Sequence, residues 1–303
     1  MTSGSSSSGA SVTVSHETVT VLGSAVHVAR VHGDSAPVVL CGGLGSSWHD
    51  WVDVLTLLGD AGYSAFALDR PGFGDSEPRP GDVPTVAGEA RRIVAVLDAL
   101  GLTRPAVLVG HSMAGFYVEG AARLEPDRVG GLVLLDSSVE KSPGALIPRR
   151  LRMPAARALA RTSSAVGLQA LGADAVRHLV VRAVPPDGYP PERIDELRRL
   201  YREPAYLEAA TVEYFAYADL AVELNRLRRA TPRPDVPVVV AAAHTSHRTP
   251  WGARWIRKQR RLASYLGGRF VVVSPSHHHV MIDQPAAVVR TVDAVLRDAS
   301  GRA

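Results

Sequence analysis

Two short runs, Pro-Ala-Val-Leu-Val at 105–109 and Gly-Leu-Val-Leu-Leu at 131–135, constrain the fold more than anything else in the chain. Side chains alternate between the two faces of a strand, so a run without polar residues at either parity needs cover on both faces. Further short apolar runs at 18–22, 25–31, 37–41, 64–68, 236–242 and 269–274 read as six more strands. Longer patterns at 50–59, 86–100, 114–124, 251–266 and 285–299 read as helices that separate the later strands. Antiparallel-looking strands followed by strand–helix–strand alternation predict an α/β fold. Its sheet has eight strands, mostly parallel, with helices on both faces.

The alternation breaks at 142–233, a helical, arginine-rich stretch with prolines at 148, 154, 185, 186, 190, 191 and 204. That stretch reads as a helical cap inserted between the sixth and seventh strands. The core is then 15–141 together with 234–303, preceded by a flexible Ser/Gly tail over 1–14. Charge-rich helices are ordinarily solvated faces, so the arginines do not by themselves call for an anionic substrate.

With 46% hydrophobic residues in 303, a large core can be buried. The net charge is only +4, and no basic tract carries interleaved aromatics, so a nucleic-acid partner is not expected. The single cysteine, Cys41, excludes an intrachain disulfide, and its apolar surroundings suggest a small buried residue. The N-terminus lacks the charged start and apolar stretch of a signal peptide. No run of about 18 apolar residues predicts a membrane span. A cytoplasmic location is the default expectation.

The strongest chemical signal is Val109-Gly110-His111-Ser112-Met113-Ala114-Gly115, lying between an apolar strand and a helical pattern. A serine hydroxyl is a poor nucleophile unless it is exposed, placed beside a base and paired with an oxyanion site. A tight turn ending a central strand exposes it, and small neighbours let that turn close. The Met113 N–H, at the helix start, is left to face a developing oxyanion.

These residues resemble the α/β-hydrolase family, and the resemblance runs from about 16 to 299 with the cap unmatched. The second glycine of the family's GxSxG motif is here Ala114, followed by Gly115. A second match is the run 38–51, Val-Val-Leu-Cys-Gly-Gly-Leu-Gly-Ser-Ser-Trp-His-Asp-Trp. The family's His-Gly pair is replaced by Gly42-Gly43, and the resemblance makes the Leu44 N–H the partner of Met113 in an oxyanion hole. A third, Asp69-Arg-Pro-Gly-Phe-Gly-Asp75-Ser76, matches the family's turn after the fourth strand, with Asp75 and Ser76 bracing it.

The fourth match is Ser276-His277-His278-His279-Val-Met-Ile-Asp283-Gln-Pro285. Family spacing back from Asp283 selects His278 as general base, with His277 and His279 as alternatives. A three-histidine metal site is disfavoured, because adjacent residues on extended chain point in opposite directions and no acid lies between them. No cofactor is expected.

The family's triad acid normally follows the seventh strand, yet 236–282 contains no Asp or Glu, and Ser246 occupies the expected place. Asp136, at the end of the sixth strand, is the leading replacement; Glu140, or no acid at all, are the others. His244 and His247 on the depleted loop read as surface histidines. Trp48 and His111 are candidate substrate contacts. Trp51, Phe116 and Tyr117 could line a pocket or belong to the core.

The resemblance implies a serine hydrolase acting on a small-to-medium ester, thioester or lactone through an acyl-enzyme on Ser112. Its alternatives are a non-hydrolytic enzyme of the same fold (a cyclase, lyase or acyl transferase) and a ligand-binding pseudoenzyme. Family members with an aspartate nucleophile, such as epoxide hydrolases, are disfavoured by Ser112.

Overall fold

The computed structural model describes residues 12–78, 81, 83–139, 144–167, 181–245 and 249–301. Eight strands form one sheet: β1 (Ser15–Val21), β2 (Ser24–Val31), β3 (Val38–Cys41), β4 (Ala65–Leu68), β5 (Ala106–His111), β6 (Val129–Leu135), β7 (Val238–Ala243) and β8 (Arg269–Val273). Their order is β1-β2-β4-β3-β5-β6-β7-β8. β2 runs antiparallel to both β1 and β4. From β4 to β8 every pairing is parallel. The predicted fold class is the observed one.

The apolar runs at β5 and β6 are explained by the two halves of the core. Ala106, Leu108, Leu132 and Leu134 pack on one face, against α2 (Val86–Ala99), α3 (Ala114–Leu124) and α7 (Pro250–Leu266). Val107, Val109, Val133 and Leu135 pack on the other, against α1 (Val52–Asp60) and α9 (Pro285–Ser300). Each parity therefore has its own hydrophobic layer.

Helix ends follow their local chemistry. Thr85 caps α2 by accepting from Gly88 N at 2.9 Å. Thr249 caps α7 the same way from Gly252 N at 3.0 Å, with Pro250 in its first turn and Gly267 at φ +70° ending it.

Among the described residues between β6 and β7 are the helices α4 (Arg149–Ala165), α5 (Pro191–Arg202) and α6 (Pro204–Ala230). Several of their arginines are spent on ion pairs. Arg152 holds Asp219 at 2.5 Å, Arg161 holds Glu208 at 2.9 Å, and Arg193 reaches Asp53 of α1 at 3.0 Å. A four-residue turn of helix, α8 (Val280–Asp283), precedes α9.

Of the stretch expected as a tail, residues 1–11 lie outside the described residues. Val12 and Val14 pack against the layer formed by α1 and α9. Gly59 makes room for this, since a Cβ there would lie 2.4 Å from Val12 Cγ1. Cys41 is buried as expected, and burial pushes its thiol up to about 12. Among the described residues, no helix is long and apolar enough to cross a membrane.

Candidate active site

β5 delivers Ser112 onto a turn at φ +51°, left-handed backbone that non-glycine residues rarely adopt. Backbone bonds hold it there. Ser112 N donates to Leu135 O at 3.0 Å, and Ser112 O accepts from Gly115 N at 3.1 Å and Ser138 N at 3.0 Å. Space dictates the glycines: a Cβ at 110 would meet Val118 Cγ2 at 2.6 Å, and one at 115 would meet Ser137 Oγ at 1.9 Å. Ala114 is fully buried at the same turn. On the helix side, the tight approach falls on Gly115.

His278 stands on the loop between β8 and α8. Its Nε2 is 2.9 Å from Ser112 Oγ, and its Nδ1 is 2.6 Å from Asp136 Oδ2. Asp136, itself at φ +42°, follows β6 and is buried. Its other oxygen accepts from Ala243 N at 2.9 Å and from Trp255 Nε1 at 2.6 Å. Its own N–H donates to Ala241 O at 2.7 Å. The end of β7 and the first turns of α7 thus hold a carboxylate that β6 supplies. This carboxylate can orient the imidazole with Nδ1–H toward itself, leaving Nε2 to take the serine proton.

The other histidines of the run make other contacts. His277 donates its N–H to Asp283 Oδ2 at 2.5 Å, and its Nδ1 lies 3.0 Å from the same oxygen. His279 is buried, with its ring 5.1 Å from that of His111. Glu140, Ser246 and His247 lie outside the described residues.

His111 sits behind the site rather than in it. It is buried, and its Nε2 donates to His278 O at 2.9 Å, anchoring the loop that carries the imidazole. Burial, with His278 and His279 nearby, holds its pKa well below 6.5, so the ring is neutral.

The Leu44 loop follows β3. A Cβ on Gly43 would lie 2.9 Å from Ser112 Cβ, so this glycine seats the loop directly on the serine. Among the described residues, neither the Leu44 nor the Met113 N–H has a backbone carbonyl partner outside the helices and strands. Behind the loop, the buried Arg70 donates to Gly42 O at 2.5 Å and Gly43 O at 2.6 Å. It also forms a two-pronged pair with the buried Glu213 of α6, at 2.6 and 2.9 Å. The Glu213 carboxylate in turn keeps the guanidinium firmly charged.

Beside Ser112 lies a cavity of about 400 Å³. Its walls include Tyr217 of α6, His244 after β7, and Trp251 and Trp255 of α7. The two indoles are parallel within 3°, with centroids 5.9 Å apart, and Trp251 is 71% exposed. The i, i+4 spacing of these tryptophans was the available sequence signal. His244, expected on the surface, is half-buried in this wall.

Trp48 and His111 are not in the wall. The Trp48 ring stacks on His49, 4.1 Å between centroids, and its Nε1 donates to Asp75 Oδ2 at 2.9 Å. Trp51, Phe116 and Tyr117 are core residues. Ser76 braces its turn, donating to Asp69 O and accepting from His27 N, both at 2.8 Å.

Among the described residues, His27, Asp69 and Asp75 are the group whose ligand atoms lie close enough for a metal ion. Both Asp69 oxygens are already engaged. Oδ1 accepts from Trp48 N at 2.7 Å; Oδ2 faces His27 Nδ1 at 2.8 Å and Asp75 N at 3.1 Å. These bonds suit a loop brace.

A parallel sheet with an exposed-serine turn at the end of β5 and a histidine after β8 defines an α/β-hydrolase architecture. The chain belongs to the alpha/beta hydrolase family, whose model matches residues 38–291. It is 35% identical over 127 residues to bifunctional epoxide hydrolase 2 of Mus musculus, spanning 41% of this chain and 22% of the mouse protein. The chain thus covers about a fifth of that relative's length.

Two solved structures share the fold. The epoxide hydrolase CorEH superposes with a TM-score of 0.71 at 21% identity, covering 94% of this chain and 99% of that one. A thermophilic esterase from Thermogutta terrifontis does so with 0.69 at 22%, also covering 94% and 99%.

Proposed function

We propose that the protein is a serine hydrolase cleaving a small-to-medium ester, thioester or lactone through an acyl-enzyme on Ser112. The observation that carries this reading is the chain of hydrogen bonds Asp136–His278–Ser112 at 2.6 and 2.9 Å, ending on a serine presented by a left-handed turn.

His278 takes the Ser112 proton as Oγ attacks the carbonyl carbon, and Asp136 stabilises the imidazolium that forms. The N–H groups of Leu44 and Met113 hold the tetrahedral oxyanion. As this intermediate collapses, His278 returns the proton to the leaving group. Water then repeats the sequence on the acyl-enzyme and regenerates Ser112. The insertion between β6 and β7 acts as a cap, with Tyr217 of α6 lining the cavity. The relatives named epoxide hydrolases suggest another substrate. Family members of that kind open the ring with a carboxylate, and Ser112 occupies that place here.

A fluorophosphonate probe is expected to label the wild-type protein and not Ser112→Ala, with turnover of short p-nitrophenyl esters. Labelling without turnover would redirect the reading to a non-hydrolytic enzyme on the same machinery. Absence of labelling would overturn it in favour of a binding protein.

A further inference from the structure

We infer that Arg70 and Glu213 are positioning residues that aim the Leu44 N–H at the reacting oxygen, so that helix α6 of the insertion sets the oxyanion site. This inference rests on the acyl-transfer reading above and adds a part to it.

The peptide plane couples the Gly43 carbonyl to the Leu44 N–H. The Gly43 carbonyl and the Leu44 N–H belong to one trans peptide unit, in which C=O and N–H point in opposite directions. Fixing the oxygen therefore fixes the hydrogen. Gly43 O is held by Arg70 Nη2 at 2.6 Å and by Ser46 N at 3.1 Å. The preceding carbonyl, Gly42 O, is held by Arg70 Nη1 at 2.5 Å. One guanidinium thus holds two successive carbonyls toward itself. A chain of Gly42, Gly43 and Gly45 has few steric limits of its own, so an external clamp is what makes its orientation single-valued.

The clamp is itself anchored from one helix face. Glu213 fixes the guanidinium by two bonds, and Tyr206, seven residues earlier on α6, donates its hydroxyl to Gly45 O at 2.8 Å. Phe73 and Tyr117 close over the cation, 5.0 and 6.0 Å from their ring centres. Lysine at position 70 could not reproduce a planar fork bonded to two carbonyls and a carboxylate at once.

An oxyanion donor acts in the transition state more than in the ground state, which separates this role from plain structural support. In Arg70→Gln, kcat for a p-nitrophenyl ester, counted per fluorophosphonate-titrated site, is expected to fall about 100-fold, with KM within about twofold. Affinity for a boronic-acid transition-state analogue should fall in parallel. Glu213→Gln keeps the shape of the side chain and is expected to fall about tenfold, with Tyr206→Phe smaller again. These two variants carry the test should Arg70→Gln not fold.

Per-site kcat within threefold of wild type in Arg70→Gln and Glu213→Gln would overturn the inference. So would a fall in kcat without loss of analogue affinity. A measurement free of catalysis keeps the two readings apart. The Leu44 amide resonance in ¹⁵N NMR should shift in Glu213→Gln, and an unmoved Leu44 signal sinks the clamp even if wild-type protein hydrolyses esters. Unlabelled wild-type protein with a shifting Leu44 amide would instead sink the acyl-transfer reading and leave the clamp standing.

Discussion

The ends of β6 and β7 lie side by side and share one task unequally. β6 is followed directly by Asp136, which supplies the carboxylate. β7 and the helix after it supply the two N–H groups, from Ala243 and Trp255, that receive this charge. The end of β7, next to the loop where the family's acid normally stands, thus offers a donor to a carboxylate that stands one strand away. A buried carboxylate is costly unless its oxygens are bonded, so the donors and the charge have to move together or stay in reach of one another. Here the Ala243 donor and the charge bridge adjacent parallel strands.

Ser112→Ala is expected to lower kcat by about 10⁶, since removing the nucleophile disables everything arranged around it. Asp136→Asn keeps the shape and removes the charge. A loss of about 10⁴ in kcat is expected in steady-state ester hydrolysis, and a loss of only a few-fold would mean that the β6 end is merely a brace. Trp255→Phe removes one of the two donors from the β7 side and leaves the Ala243 N–H. About tenfold in kcat is expected, with KM little changed, as befits a hydrogen bond to a charged group. If Trp255→Phe cost as much as Asp136→Asn, support and charge would be inseparable.

The smallest effect concerns pH. His111 is neutral in the fold because burial holds its pKa well below the ordinary 6.5, and unfolding exposes it. As pH falls below about 6.5, the unfolded chain binds a proton that the folded one refuses. The stability this histidine contributes is present above that value and is lost as pH descends toward the folded pKa. Urea denaturation across pH 5 to 8 should show this slope in wild type. It should be shallower in His111→Gln, whose amide can still donate to the His278 carbonyl. Part of the slope should persist, because burial lowers the pKa of His49 as well.

What could be seen in the chain itself follows from how local each feature is. The sheet was legible because two-sided burial leaves a mark on every residue of β5 and β6. The Ser112 turn was legible because its requirements, small residues around a strand-to-helix corner, fall within seven positions. Asp136 could be named as a candidate because an empty loop after β7 forces the question of where else the same sheet edge offers a carboxylate. Trp255 could not be found that way. Its bond to Asp136 spans 119 residues and depends on the direction in which α7 leaves the sheet.

Trp48 shows the converse error. It is four residues from Leu44, yet the 3-10 turn at Trp48–Trp51 aims its ring at His49 and Asp75 instead of the cavity. The turn that carries Arg70 shows in sequence only its backbone shape. Gly42 and Gly43 come beside it through the pairing of β3 with β4, and Glu213 only when the insertion packs down.

The two left-handed turns at Ser112 and Asp136 close adjacent strands, and neither is a glycine. Each such residue costs about 1–3 kcal/mol, in a molecule whose whole margin is on the order of 5–15 kcal/mol. Glycine at either position would relieve that backbone cost, but at 136 it would also leave the Ala243 and Trp255 donors without their acceptor. The side chain that loads this corner is the one whose bonds hold it closed, so relief and loss arrive together.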